Sequence, residues 1–233
     1  MADIPWTAPD LGSLLGFVAI VLGLCVGLVA AVKGLGHGRM AAWVGLGLGL
    51  WLGFTAWVPY SGWFSLGPPA LIGFMVLCNG AGLALALSPV GRVATGLPIA
   101  LLIAWQGFRL PLELILHHWG QAGVIPMSMT WEGQNFDVIT GILAVLSAPV
   151  AWFGGPGLQR RVGWVFGIVG FGLLLNVGRV AIQSSPGPLR SFGEPPLALA
   201  FHSPTVWIVP FCVAGALFGH VVLFRRLLGG TVA

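Results

Sequence analysis

Apolar residues run in seven long blocks along the chain, at about 11–32, 40–59, 70–88, 97–118, 137–154, 162–185 and 205–226, separated by short stretches richer in Pro, Gly and charge. A helix needs about 20 mostly apolar residues to cross a hydrocarbon layer. Each block therefore predicts a transmembrane helix, and the short connections predict antiparallel neighbours. No hydrophilic stretch is long enough for a separate soluble unit. Residues 1–233 are expected to form one integral membrane domain, an all-α polytopic bundle of seven transmembrane helices.

Composition agrees with the pattern. The chain is 57% hydrophobic and 7% charged, with mean hydropathy +0.97 and 11 Trp. A soluble domain carries about 25% charged residues, so lipid is the expected solvent and the bilayer the first partner. The net charge of +4 does not point to nucleic acid, because the basic residues are scattered and make no patch. They read instead as topology. With seven spans, Lys33, Arg39, Arg92, Arg160, Arg161, Arg225 and Arg226 fall on one side, and only Arg190 falls on the other. The N-terminus is expected outside and the C-terminus in the cytoplasm, in a bacterial-type inner (cell) membrane. The opening "MADIPWTAPD" lacks the basic residues of a signal peptide, so no cleavage is expected. Cys25, Cys78 and Cys212 are odd in number and lie in apolar blocks, which predicts packing residues rather than disulfides.

Glycines repeat four apart at Gly45, Gly49 and Gly53, at Gly23 and Gly27, and at Gly163 and Gly167. Small residues at this spacing let helices approach closely in lipid. These faces predict bundle interfaces, with a homo-oligomer or another membrane protein as the alternative partner.

Against this background the stretch "WQGFRLPLELILHHWG" (105–120) is out of place. At 1.5 Å per residue, Arg109 lies about 18 Å into the fourth span, within a core about 30 Å thick. Glu113 is four residues on and Gln106 three before, so the three share a face and Arg109 can pair with Glu113. Pro111 has no N–H and frees the carbonyl of Gly107. The sixth span carries Asn176, Arg179 and Gln183 on one face, and "WEGQNFDVITG" brings Glu132, Asn135 and Asp137 to the outer end of the fifth. Charge inside a membrane is costly and marks function, with a partner expected. The pattern predicts an outward-facing polar pocket among the fourth, fifth and sixth spans. The alternative is a pair of Arg–carboxylate clasps that fix helix register. Four charges with Gln106, Asn135 and Asn176 exceed what one clasp needs. Asn79 reads as helix glue, His117 and His118 as interface residues, and His220, near the inner end of the last span, as a snorkelling or core residue. The two longest outer loops either cap the pocket or pack on the outer face. No H-E-x-x-H or other ligand spacing calls for a metal, and no cofactor is implied.

The segments "MTWEGQNFDVITGILAVL" and "LLLNVGRVAI" together resemble the middle of the exosortase and archaeosortase family of membrane transpeptidases, over about residues 125–202. The resemblance matches Asn176 and Arg179 to that family's Asn-x-x-Arg step and His202 to a later His. Where the family has its nucleophilic Cys, this chain has Thr140–Gly141. A threonine needs a strong base to replace a thiolate, so the resemblance implies a changed or lost activity. Three functions stand open on sequence. The first is binding or transport of a small polar or anionic ligand at Arg109 and Arg179. The second is an intramembrane enzyme, exosortase-like or using Glu113 and Asp137. The third is a structural subunit of a membrane complex.

Overall fold

The computed structural model describes residues 4–229, and among these every regular element is helical. Helix α1 (Leu11–Gly34) starts at the N-cap Asp10 and turns at Gly36, whose φ of 87° favours glycine, into α2 (Gly38–Trp57). Then come α3 (Pro68–Leu87), the short α4 (Pro89–Ala94), α5 (Ile99–Trp105), α6 (Arg109–Gln121), α7 (Val138–Phe153), α8 (Pro156–Ser184) and α9 (Ala214–Leu228). Six helical stretches are long and apolar enough to cross a membrane: Leu11–Gly34, Gly38–Tyr60, Pro68–Leu87, Ile99–Gln121, Pro156–Ser184 and Thr205–Leu228. The chain is an all-α helical membrane protein.

The remaining apolar block makes only the 16-residue α7, about 24 Å long at 1.5 Å per residue. "GGP" at 154–156 ends it, and Pro156 opens α8 at a first-turn position where its missing N–H costs nothing. Helix α8 runs 29 residues because the basic loop expected before residue 162 is itself helical.

Two stretches are broken, each at a proline. A 3₁₀ turn at Gln106–Phe108 separates α5 from α6, so that the helix restarts at Arg109 and places Pro111 in its first turn. The last stretch opens with a 3₁₀ turn (Thr205–Ile208) and a π turn (Val209–Val213) containing Pro210 before α9 begins. Such irregular backbone is tolerated in a membrane where protein shelters it.

Helix α3 packs on α9, α7 on both α5 and α8, α8 on α9, and α1 on the peripheral α2. Two apolar cores result. One holds Phe17, Phe74, Leu112, Trp119 and Phe211; the other holds Leu28, Ile103, Phe166, Phe218 and Leu223. The break at 106–108 lies where one core gives way to the other. The three cysteines are free and buried.

The glycine rows divide. A Cβ on Gly163 would touch Ile99 and Leu227, and one on Gly167 would press on Phe224, so this row is a bundle interface. A Cβ on Gly49 or Gly53 would meet nothing within 4 Å, and only Gly45 of that row approaches another helix, at Val29. That row is therefore in contact with another helix only at its first member, and Gly49 and Gly53 form no close helix–helix approach.

Candidate functional site

The loop before α7 builds half of the site. Residues 124–130 fold inward instead of lying on the surface: Val124, Ile125, Ser128, Met129 and Thr130 are all buried. Local bonds hold the turn, from Gln134 N–H to the Ser128 carbonyl and from Asn135 N–H to the Thr130 carbonyl. The Asn135 side-chain oxygen then accepts the Asp137 N–H at 3.2 Å, an Asx turn that aims the start of α7. Asp137 sits at the N-cap of α7 and accepts the Thr140 hydroxyl at 3.0 Å.

Helix α6 supplies the other half. Arg109 Nε donates to Asp137 Oδ2 at 2.5 Å, with Arg109 1% and Asp137 4% exposed. Its Nη1 donates to the Gly170 carbonyl at 3.3 Å and meets His220 Nε2 at the same distance. Glu113, 1% exposed, takes both of its bonds from Asn135 Nδ2, at 3.0 and 3.1 Å, and has no cation within 4.0 Å among the described residues. The pairing expected along α6, Arg109 with Glu113, is not made. The helix spacing puts the two on one face, but the loop before α7 delivers a carboxylate to one and an amide to the other.

Glycines let these helices converge. A Cβ on Gly141 would collide with the backbone of Leu110, one on Gly170 with His220, and one on Gly219 with Trp105 and Gln106. At the break, Trp105 Nε1 donates to the Gly215 carbonyl at 3.1 Å and Gln106 Nε2 to the Ala216 carbonyl at 3.0 Å. The sequence reading missed His220 as a member of this cluster. It is fully buried between the rings of Phe166 and Phe171, as core packing requires, and it also faces Arg109. Arginine only donates, so His220 Nε2 accepts and Nδ1 carries the proton. That Nδ1, Arg109 Nη2 and the Gln106 Oε1 are buried without partners. Buried polar atoms left unpaired are uncommon and call for an explanation, such as a water or ligand group.

The other predicted residues lie apart from this cluster. Asn176 joins it indirectly, donating to the Gln134 carbonyl at 2.7 Å. Arg179 finds no carboxylate among the described residues: it is exposed and donates to Asn176 Oδ1 (2.9 and 3.2 Å) and Gln183 Oε1 (2.7 Å), both on its own helix. The second Arg–carboxylate clasp therefore does not form. Glu132 is exposed, 3.7 Å from His117, whose ring stacks on Trp131. His202 stacks on Trp6 at 3.9 Å, and burial lowers its pKa, which suits a neutral stacking ring. Thr140, Arg179 and His202, which the family resemblance would group, thus have separate partners. Asn79 bonds the Met75 carbonyl of its own helix, and among the described residues it bonds no neighbouring helix. His118 bonds Asp10 at 2.8 Å on the surface.

Arg109, Glu113 and Asp137 also border a chamber of about 530 Å³ between α3, α6, α8 and the last helical stretch. Its wall is otherwise nearly all apolar, with Leu71, Met75, Leu112, Leu174, Val209 and Leu217 among the side chains, and Arg179 also lines it. The loop at 185–204 roofs it through Leu189, Leu197, Leu199 and Ala200. That loop is pinned by Glu194, which accepts the Ser128 N–H at 2.9 Å. A second recess of about 480 Å³, between α1, α2, α3 and α9, has no charged residue in its lining.

No family model, curated protein or solved structure matches this chain.

Proposed function

We propose that this is a multi-pass protein of a bacterial-type inner membrane that binds an amphiphile, with the ligand's hydrocarbon chain in the 530 Å³ chamber. In this reading the chain crosses seven times with its N-terminus outside. The asymmetry of basic residues favours that orientation. The turn at 122–137, sheltered over 124–130, makes up the length that α7 lacks. One observation carries the ligand reading: the chamber is apolar-walled yet borders Arg109, Glu113 and Asp137. Ligand sites combine mostly apolar lining with a few placed polar groups, in volumes of about 300–1,000 Å³. The wall moves the ligand away from the small polar solute that the charges alone imply. The cluster's charges are largely spent on one another, and the free Arg109 Nη2 offers a donor to an oxygen on the ligand.

Gly178 supplies the test. It lines the chamber, and a Cβ there meets nothing within 4 Å. Gly178→Phe should fill the chamber without disturbing the helices. Protein purified in mild detergent, extracted and analysed by mass spectrometry should carry a chain-bearing species enriched over bulk lipid in the wild type. Gly178→Phe should lose it at unchanged Tm. Equal lipid content in the two proteins would end this reading.

A further inference from the structure

The two arginines that line the chamber are satisfied differently, and the difference bears on the ligand's headgroup. Arg109 is neutralised by Asp137. Arg179 lines the same chamber, is exposed, and has no carboxylate within 4.0 Å among the described residues. It is nevertheless fixed in place. Asn176 Oδ1 takes Nε and Nη2, and Gln183 Oε1 takes Nη1. Asn176 is itself oriented, because its amide nitrogen is committed to the Gln134 carbonyl at 2.7 Å. Neutral amides position the guanidinium without cancelling its charge, and two of its five N–H donors remain free. Arg179 stands five residues before the end of α8 at Ser184, about 7.5 Å of rise, on the side of the chamber that the 185–204 loop roofs. Snorkelling alone would explain an exposed arginine at a helix end. It would not explain a cation clamped by two side-chain amides on the rim of an apolar chamber.

We infer that the amphiphile is an anionic phospholipid whose phosphate sits on Arg179 while an acyl chain enters the chamber. This rests on the proposal that the chamber holds a chain, and adds the headgroup. Charge complementarity selects an acidic group. Phosphate is favoured over a carboxylate because a phosphodiester keeps its charge beside an apolar wall unaided, whereas a carboxyl there stays ionised only through its contact with Arg179. Pre-positioning lowers the ordering cost of binding, and a charge-assisted bidentate contact is worth enough to set a preference of about tenfold.

The test is native mass spectrometry of the full chain exchanged with phosphatidylglycerol, phosphatidylcholine or oleate, each alone. The wild type should hold one phosphatidylglycerol about tenfold more tightly than one phosphatidylcholine. Arg179→Gln should erase most of that preference while still binding both. Arg179→Lys, which keeps the charge and loses the fork, should retain part of it. Gly178→Phe should lose both lipids. If Gly178→Phe loses binding but Arg179→Gln keeps the full anionic preference, the headgroup assignment fails and the chamber reading survives. If Gly178→Phe binds as the wild type does, both fail. Tighter binding of oleate than of phosphatidylglycerol overturns the phosphate assignment.

Discussion

Arg109 and Arg179 are alike in sequence. Each sits in the later half of an apolar block, with polar residues three and four positions away on its own face. Their surroundings differ. Arg109 is 1% exposed, paired with a carboxylate from another helix, and placed at a break that lets glycines on α7, α8 and α9 close around it. Arg179 is exposed and held by amides of its own turn. A buried guanidinium recruits the fold to itself, whereas an exposed one is satisfied locally and stays available. The same residue type thus marks an organising position in one helix and an exposed, locally satisfied cation in another.

The largest break in this contrast comes from removing the carboxylate. Asp137→Leu leaves Arg109 buried and unpaired, which should cost about 3–5 kcal/mol. It should show as a large fall in accumulation and Tm. Gln183→Leu, the matching loss at Arg179, should stay within about 0.5 kcal/mol. The double change Arg109→Met with Asp137→Leu sharpens the contrast, since an apolar replacement of a buried pair is often tolerated. Stability should return while ligand binding does not. Recovery of both would make the pair a clasp and nothing more.

A smaller effect tests the packing. Gly141→Ala forces α7 away from the backbone of Leu110, and should cost about 1–3 kcal/mol by overpacking. Gly178→Ala, into open space beside Arg179, should leave Tm unchanged or raise it slightly, because alanine loses less backbone freedom in a helix. Equal losses at the two positions would mean that close approach is not what holds the Arg109 cluster together.

The long helices were legible in sequence because hydropathy reports a solvent, and six of the blocks carry it over a spanning length. Which polar residues share a face was legible for the same reason, as helix spacing is local. Which residues meet across helices was not. Glu113 lies one turn from Arg109, but Asp137 and Asn135 arrive on a turn whose inward fold depends on side-chain-to-backbone bonds at 127–137. His220 was hidden for a related reason. A single histidine has no spacing partner in its own helix, and its meaning comes from Arg109 and from Gly170, which makes room for it. The chamber was unreadable as well, being a gap between helices that are each ordinary in sequence.

The smallest effect concerns a third polar contact, on the surface, where exposure should weaken even a well-formed charge interaction. Asp10 caps α1 through the Ser13 N–H at 3.0 Å and the Ser13 hydroxyl at 2.5 Å, and meets His118 Nε2 at 2.8 Å, joining the start of α1 to α6. The Ser13 hydroxyl and N–H, with His118 after them, hold its carboxyl well below the ordinary carboxylate range. A depressed carboxyl stabilises the fold fully above its unfolded value of 3.8, and loses that contribution as pH falls further, through the folded value. Asp10→Asn keeps a competent N-cap and removes only the charge. It should speed hydrogen exchange at residues 11–14 modestly, by the same factor from pH 7 down to about 5, with the difference from wild type closing only below the unfolded carboxyl value. Equal exchange in wild type and Asp10→Asn throughout pH 7 to about 5 would overturn this. Asp10 would then be a capping residue whose charge contributes nothing to holding α1 against α6.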